Sequence, residues 1–255
     1  MTKRRPKIES RRNAILSRLQ ASGKVTVTEL ARELDVTIVT IRKDLDDMDR
    51  DGLLTRVSGG AVLLADTGRI GSAQVSNLPQ KQAIAREILS MVKDGDTIFI
   101  NSGTTSTEVA RALTGRKVLN IVTNSYDVVR TLNDVRGFRV ILLGGEFNSD
   151  YSFTYGSDAQ EQLSRYKADW AILSVNGVSV AGGITTYHAE EAILDRIMIS
   201  SSDHAIIAAD HTKVGTTGFS RVCDVSDRVL LVTDAGADPG EVALLAEAGV
   251  KTELV

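Results

Sequence analysis

The chain has 255 residues, a formal net charge of −3 at neutral pH and 42% apolar residues, enough for one large core plus a small second domain. No apolar run approaches the roughly 20 residues of a membrane-spanning helix, and no secretory signal follows the basic start, so we expect a cytoplasmic protein. A single cysteine, Cys223, excludes an intrachain disulfide and fits a reducing compartment.

Positive charge is concentrated at the amino-terminal end. Residues 1–24 contain eight Lys or Arg residues and one acid, Glu9, which gives this segment a net charge of +7. A basic end on an acidic chain is the electrostatic pattern of a protein that binds a polyanion such as DNA. A solubilising tail is the alternative interpretation.

The first elements predict a small helical unit. Residues 8–21 have apolar side chains at helical spacing, and residues 25–27 are expected to form a short strand. Thr28 is a suitable cap for a second, short helix that continues to Leu34, and residues 35–37 form a turn. A third helix is expected over residues 38–50, ended by Gly52. Its buried side is expected to carry Val39, Ile41, Leu45 and Met48.

Two short strands, residues 53–57 and 61–64, flank Ser58-Gly59-Gly60 and predict a hairpin, or wing. This order is typical of a winged helix-turn-helix, whose recognition helix enters the major groove of DNA. Arg56 on the wing is a candidate for a phosphate or minor-groove contact. Candidates for contacts with bases or phosphates near the start of the recognition helix are Thr37, Thr40, Arg42 and Lys43. The alternative is a helical hairpin that binds protein, with the basic side chains merely solvated.

Residues 65–79 lose periodicity and are rich in Gly, Ser, Asn and Pro, so we interpret them as a linker between residues 1–64 and a second domain, residues 80–255. The second domain alternates strands and helices, which predicts an α/β fold with a mostly parallel sheet and helices on both faces. Strands are expected over 96–103, 118–125, 138–147, 167–178, 204–210, 228–234 and 250–255, and helices over 81–92, 105–114, 126–134, 157–166, 189–202 and 241–249.

The segment Asn101-Ser102-Gly103-Thr104-Thr105-Ser106 joins a predicted strand to a predicted helix. Gly103 permits close backbone approach, and N–H groups at a helix start suit a phosphate together with the hydroxyl groups of Ser102, Thr104 and Thr105. The segment lacks the GK[ST] of a Walker motif, so it does not imply a nucleoside triphosphate. An ordinary helix capped by Ser or Thr is the alternative.

Small polar residues follow the other predicted strands. Because the carboxyl ends of parallel strands meet at one edge of a sheet, ligands gather there. These segments therefore predict a small-molecule site, with Lys213 as a cation for an anionic ligand. The further candidates are Thr123, Asn124, Gly144, Gly145, Asn176, Gly177, Thr185, Asp210 and Lys213.

The segment TIVTIRKDLDDMDRDGLLTRVSGGAV resembles the amino-terminal signature of the DeoR family of bacterial transcription regulators. The family pattern is a small or hydroxyl residue followed by Thr, an aliphatic residue, Arg, a basic residue, Asp and Leu. Thr37 and the run from Thr40 to Leu45 match this pattern here. An upstream Arg with spaced aliphatic residues belongs to the pattern too, and it is matched by Arg12, which the resemblance implies to be a DNA-binding residue.

The strand-end segments of the second domain resemble the DeoR sensor domain, so the resemblance covers nearly the whole chain. It implies a fold related to ribose-5-phosphate isomerase that binds a phosphorylated sugar or a related metabolite. It adds Lys81, and Glu190 or Glu191, to the candidate ligand residues, of which we take Glu190. Asn101 stands where the family usually has Asp, which removes one negative charge beside the ligand.

The sequence thus predicts a transcription regulator, most simply a homo-oligomeric repressor that binds operator DNA and responds to a phosphorylated sugar. His188 and Glu190 lack a third ligand at useful spacing, so no metal site is predicted, and no cofactor is expected. A sugar-phosphate isomerase with a DNA-binding appendage remains the alternative, with Glu146, Glu190 and Asp210 as nominal bases. An activator or a ligand-independent architectural protein is a third possibility.

Overall fold

The computed structural model describes residues 8–50, 54–62, 77–226 and 228–255. The chain divides into two compact units, Met1–Ser76 and Asn77–Val255. No helix within the described ranges is long and apolar enough to cross a membrane.

The amino-terminal unit is a winged helix-turn-helix, which confirms the predicted fold. Its elements are α1 (Ile8–Ser22), β1 (Lys24–Thr26), α2 (Val27–Glu33), α3 (Ile38–Arg50), β2 (Thr55–Val57) and β3 (Gly60–Val62). The three strands form an antiparallel sheet in the order β1-β3-β2. The helices enclose a small apolar core formed by Ile15, Leu19, Leu30, Ile41, Leu45, Met48 and their neighbours.

Two details of this unit differ from prediction. The α2 cap is Thr26 rather than Thr28, because the Thr26 hydroxyl accepts a 3.2 Å hydrogen bond from the Glu29 backbone N–H and donates one of 2.7 Å to the Glu29 carboxylate. Val39, predicted to be buried, is 74% exposed. Ile41 is fully buried, and Val39 lies two residues, or about 200°, from it around the helix. The predicted stop at Gly52 and the outer strand ends at Leu53 and 63–64 lie outside the described residues.

The carboxyl-terminal unit is built on a seven-stranded sheet in which every strand pairing is parallel. Its order is β15 (Lys251–Leu254), β14 (Val229–Thr233), β12 (Ser202–Ala208), β9 (Ala168–Ser174), β4 (Thr97–Ile100), β5 (Leu119–Thr123) and β6 (Phe138–Leu142). Alternate residues of the central strands face two separate cores, with Phe99 in one and Ile98 and Ile100 in the other. Both faces are therefore covered, as expected for a parallel sheet.

Among the described residues of this unit are six α-helices: α4 (Leu78–Met91), α5 (Thr104–Leu113), α6 (Tyr126–Leu132), α7 (Ser157–Leu163), α8 (Ala189–Ser200) and α9 (Pro239–Glu247). The helix α4 begins at Leu78, inside the predicted linker, because Pro79 occupies the first turn, where its missing N–H costs nothing.

Two small antiparallel sheets were not predicted. One pairs β7 (Glu146–Asn148) with β8 (Phe153–Tyr155), and the other joins β10 (Gly177–Ser179), β11 (Gly183–Thr186) and β13 (Ser220–Cys223). As a result, the predicted strands 138–147 and 167–178 each divide in two, at Gly144-Gly145 and at Asn176. Both breaks lie at the carboxyl edge of the large sheet.

Candidate functional sites

The start of α3 is fixed by two threonines that were predicted to contact DNA. The Thr37 hydroxyl accepts a 3.1 Å hydrogen bond from the Thr40 backbone N–H, and the two hydroxyl oxygens are 2.9 Å apart. Thr37 therefore acts as the cap of α3. Both hydroxyls already have partners at the tip of the helix.

The solvent-facing side of α3 carries both basic and apolar groups. Arg42 and Lys43 are exposed, as their predicted role requires. Ile38 and Val39 in the first turn are also exposed, at 44% and 74%. Sequence reasoning missed them as surface residues because an aliphatic side chain in an amphipathic pattern is normally assigned to the core.

All four aspartates of α3 accept bonds from outside the helix. The partners are Arg11 for Asp44, the Arg56 side chain for Asp46 (2.8 Å), Arg12 for Asp47 (3.2 Å) and the Arg56 backbone N–H for Asp49 (3.1 Å). Arg56 also donates to the Gly60 carbonyl. Arg12 and Arg56, both predicted to contact DNA, thus neutralise carboxylates of the recognition helix. This arrangement leaves Arg42 and Lys43 as the exposed charges on its first turns.

In the carboxyl-terminal unit, the segment between β4 and α5 approaches its neighbours closely at Gly103. Gly103 has φ +127° and ψ 161°, a conformation that is essentially restricted to glycine, and a Cβ there would lie 2.8 Å from Ser174 Oγ. Within the described residues α5 has no side-chain cap. The N–H groups of its first turn are thus suited to an anion.

Lys81 of α4 lies at this helix start. Its side chain is almost fully buried, with Nζ 3.0 Å from Thr104 Oγ1 and 3.8 Å from an Asp210 carboxylate oxygen. Asp210 also accepts hydrogen bonds from Asn77 Nδ2 (3.2 Å) and from the Thr212 hydroxyl (2.5 Å). Burial acts to raise the pKa of Asp210, but the Thr212 hydrogen bonds and the charges of Lys213 and Lys81 outweigh it and lower that pKa. The structure thus places Lys81, Thr104 and Asp210 together, and the Lys213 backbone N–H donates to the Asp210 carbonyl (2.9 Å).

Ser102 faces a second acidic group, Glu191 on α8. The Ser102 hydroxyl donates to one Glu191 carboxylate oxygen, and Thr186 Oγ1 lies 2.5 Å from the other. Thr186 Oγ1 is also 3.0 Å from Asn176 Oδ1. The predicted residue Glu190 is exposed instead, because one residue along a helix turns the side chain by about 100°. Of the two candidates, Glu191 is the one brought to the segment 101–106.

Asn101 is fully buried, and its amide group has protein partners at every position. Nδ2 donates to the Ser174 carbonyl (2.9 Å) and to Asp195 Oδ1 (3.0 Å). Oδ1 accepts from the Ser106 hydroxyl (2.8 Å) and the Ser174 backbone N–H (2.8 Å). An amide that makes four hydrogen bonds has no capacity left for a ligand. Asn101 therefore supports the segment 101–106 from below rather than facing a ligand.

Asp195, the Asn101 partner on α8, is completely buried. Burial raises its pKa well above the ordinary value of 3.8, and the charge of Glu191, one helical turn away, raises it further. Its second oxygen has no hydrogen-bond partner among the described residues. Sequence reasoning gave no signal for Asp195, because its partner is 94 residues distant.

Several other residues that were predicted to bind the ligand make hydrogen bonds or close contacts within turns. Thr123 Oγ1 accepts from the Ser125 N–H (3.0 Å), and Asn124 donates to the Thr154 carbonyl (3.3 Å). The Gly144 N–H donates to the Gln162 side chain (2.9 Å), while a Cβ at Gly145 would lie 2.3 Å from the Tyr155 carbonyl oxygen. The Thr185 hydroxyl donates to the Gly177 carbonyl (3.1 Å) and accepts from the Gly218 N–H (2.7 Å). Thr105 is buried in the first turn of α5.

His188 packs between aromatic rings rather than in a cluster of metal ligands. Its ring centroid lies 4.3 Å from that of Tyr151 and 5.7 Å from that of Phe153. In the part of the chain that the structure describes, no three His, Cys, Asp or Glu side chains are grouped to hold a metal ion.

Comparison with known proteins gives two family matches. Residues 11–67 match the DeoR-like helix-turn-helix domain, and residues 76–235 match the DeoR C terminal sensor domain. Among curated relatives, the glycerol-3-phosphate regulon repressor of Escherichia coli is 30% identical over 96% of this chain and 98% of its own length. The transcriptional repressor GlcR of Bacillus subtilis is 32% identical, with 89% and 88% covered.

A third relative, the lactose phosphotransferase system repressor of Lactococcus lactis, is 35% identical over 78% of this chain and 80% of its own length. Among solved structures, ribose 5-phosphate isomerase A of Methanocaldococcus jannaschii superposes with a TM-score of 0.41 at 17% identity, covering 54% of this chain and 55% of the isomerase.

Proposed function

The chain belongs to the DeoR family of bacterial transcriptional regulators, and from that premise we propose that it represses a carbohydrate-catabolism operon and is released from its operator by a phosphorylated sugar. The observation that carries the effector half of this proposal is the position of Lys81 Nζ, 3.0 Å from Thr104 Oγ1 at the uncapped start of α5. A buried cation beside a helix start suits a phosphate group.

The DNA-binding half rests on the winged helix-turn-helix and the exposed side chains of Arg42 and Lys43. We assign DNA binding to residues 1–64 and effector sensing and oligomer contacts to residues 80–255; of the linker predicted between them, residues 78 and 79 belong to α4. The active form is a cytoplasmic homo-oligomer whose winged helices occupy adjacent half-sites.

A phosphorylated ligand changes operator affinity only through its different affinity for the DNA-bound and the released form. Couplings of this kind are typically about 1–3 kcal/mol, which weakens DNA binding roughly 5- to 150-fold. In the effector site we place Lys81, Lys213, Ser102, Thr104 and the first N–H groups of α5 around the phosphate. We place Glu191, which accepts a hydrogen bond from the Ser102 hydroxyl, near the sugar hydroxyl groups.

A regulator, rather than an enzyme, is supported by the repressor names of the relatives. The nominal bases of the isomerase alternative are also poorly placed for proton abstraction. Asp210 is engaged with Lys81 and Thr212, and Glu146 and Glu190 are both exposed.

The test is a thermal-shift screen of the full chain against sugar phosphates, the matching free sugars and inorganic phosphate. A ligand at a hundred times its dissociation constant adds about 2.7 kcal/mol, and we expect this only with phosphorylated sugars. The best compound is then added to the protein bound to an operator duplex selected from random-sequence DNA, where it should cause release.

Thr104→Ala combined with Lys213→Ala is expected to abolish both the thermal shift and the release while DNA affinity is kept. The matched control is Lys167→Ala, a lysine at the opposite, amino-terminal end of β9. Equal stabilisation by a free sugar and its phosphate would contradict the phosphate assignment. Turnover of a sugar phosphate would overturn the regulator-only reading.

A further inference from the structure

Two aliphatic side chains in the first turn of α3 are unexplained by the fold. Among the described residues of Met1–Ser76, Ile38 and Val39 are the large apolar side chains left exposed, at 44% and 74%. Scattered exposed apolar residues are normal on protein surfaces. These two are adjacent, however, and they lie on the helix that the fold uses to read DNA.

The position of these side chains is set by the cap of the helix. The Thr37 and Thr40 hydroxyls bond to each other, and the Thr37 hydroxyl also accepts from the Thr40 backbone N–H, which fixes the first turn of the helix. Val39 lies one turn before Lys43, and Ile38 one turn before Arg42. The apolar pair therefore shares the solvent side of α3 with the two exposed basic residues.

Double-stranded DNA is the occupant that this combination of charge and apolar surface fits. Arg42 and Lys43 can pair with guanine or phosphate, whereas an aliphatic side chain has no hydrogen-bonding atom with which to read a base. The C5-methyl group of thymine is the apolar group that the major groove presents. An aliphatic group at the tip of a recognition helix can distinguish bases by contact with that methyl group.

We propose that Val39, flanked by Ile38, reads thymine methyl groups in each operator half-site and so determines part of the operator sequence. This inference rests on the proposed function, since it requires α3 to enter the major groove. At one or two base pairs, thymine is thus recognised by apolar contact with Val39, whereas Arg42 and Lys43 form the hydrogen bonds to bases and bind phosphate groups.

The test starts from the operator sequence that the full chain enriches from a random-sequence duplex library. Each thymine of the enriched half-site is then replaced singly by uracil, which removes only the methyl group. We expect one or two replacements to weaken binding about fourfold each, the effect of exposing one methyl-sized group. Replacements elsewhere in the site should leave affinity unchanged.

Three variants assign this loss to the side chain. Val39→Ala should bind the thymine and uracil duplexes equally, whereas the nearly isosteric Val39→Thr, which keeps one of the two methyl groups, should show a preference between those of Val39→Ala and the wild type. Ser17→Ala, an exposed position on α1, should retain the wild-type preference. Since Val39 is largely exposed, its replacement should leave the unfolding temperature unchanged.

The outcomes separate this inference from the function on which it rests. If a sequence is enriched but Val39→Ala keeps the full loss on uracil replacement, the assignment to Val39 is overturned while operator binding stands. If the wild type loses nothing on any uracil replacement, methyl readout is wrong. If no sequence is enriched, the proposed function fails, and this inference fails with it.

Discussion

Asn101 and Asp195 are joined by a buried hydrogen bond of 3.0 Å from the amide Nδ2 to a carboxylate oxygen, beneath the segment that starts α5. The same amide bridges to Ser106 and to both backbone groups of Ser174. One neutral side chain thus holds β4, α5, β9 and α8 together. Its amide is neutral and donates to Asp195, whose pKa is already raised by burial and by the charge of Glu191 one turn away.

Asn101→Asp is expected to destabilise the carboxyl-terminal unit by about 3–5 kcal/mol at pH 8, as an uncompensated buried charge does. The new carboxylate would face both Asp195 and the Ser174 carbonyl. Proton sharing relieves the repulsion at low pH, so the loss should be smaller at pH 5. Thermal unfolding across this range measures the effect. The double variant Asn101→Asp with Asp195→Asn should recover part of it, and a loss independent of pH would contradict the explanation.

Asp195→Asn is expected to stabilise the protein at neutral and alkaline pH. The folded-state pKa of Asp195 is raised by burial and by Glu191, so the folded protein keeps this proton after the unfolded chain has lost it. Stability is therefore fully present below the ordinary pKa of 3.8 and is lost as pH rises toward the folded-state value.

The advantage of Asp195→Asn over the wild type should thus be near zero at pH 4 and grow with pH. Each kcal/mol corresponds to about 2–4 °C in melting temperature for a unit of this size. Calorimetric scans at one-unit pH steps provide the measurement. A difference that stays constant with pH would show that Asp195 does not titrate differently in the two states.

Arg11→Met is expected to unfold or strongly destabilise the amino-terminal unit, with a loss of about 3–5 kcal/mol. The Arg11 guanidinium binds both carboxylate oxygens of Asp44, and both side chains are buried, so removing one leaves an unpaired charge. The apolar double variant with Asp44→Leu should recover stability.

Arg42→Ala is the contrasting change, since it should weaken operator binding by about 1–3 kcal/mol with an unchanged melting temperature.

Asn77→Gly is expected to weaken the response to the effector more than its binding. The Asn77 backbone has a left-handed conformation (φ 54°), which glycine adopts without strain. The substitution therefore removes little besides the side-chain hydrogen bond to Asp210. That bond joins Asn77, the first residue of the carboxyl-terminal unit, to the Asp210 carboxylate. A bound phosphate would compete with this carboxylate for Lys81. The affinity of the variant for the best sugar phosphate, measured by thermal shift, should stay within about threefold of the wild-type affinity. The fraction of DNA released by that compound should be smaller than with the wild type. If the variant released DNA as fully as the wild type, the Asn77–Asp210 hydrogen bond would have no part in the response to the effector.

The regular elements were largely predictable because periodicity is local. The bounds of α3 agree with prediction at both ends, and the strand-helix alternation gave the α/β class. The order of the sheet was not predictable, since nothing in the segments of β4 and β9 records that they pair. The hydrogen-bond and ion-pair partners of Asn101 and Arg12 were likewise not predictable, because they lie on elements distant in the chain. Sequence analysis chose Glu190, whereas Glu191 contacts the segment 101–106, because the predicted helix phase was uncertain by one residue.

The pairing of β4 with β9 also fixes the order in which the protein can acquire its activities during synthesis. Ile98 is aligned with Trp170, and Ser174 contacts both Asn101 and Gly103, so the segment 101–106 lacks these contacts until residue 174 has been synthesised. Pairings so distant in sequence fold slowly. The winged helix, complete within the first third of the chain, can fold while the sensor is still being made. A newly synthesised molecule thus gains its DNA-reading surface before its ability to be induced.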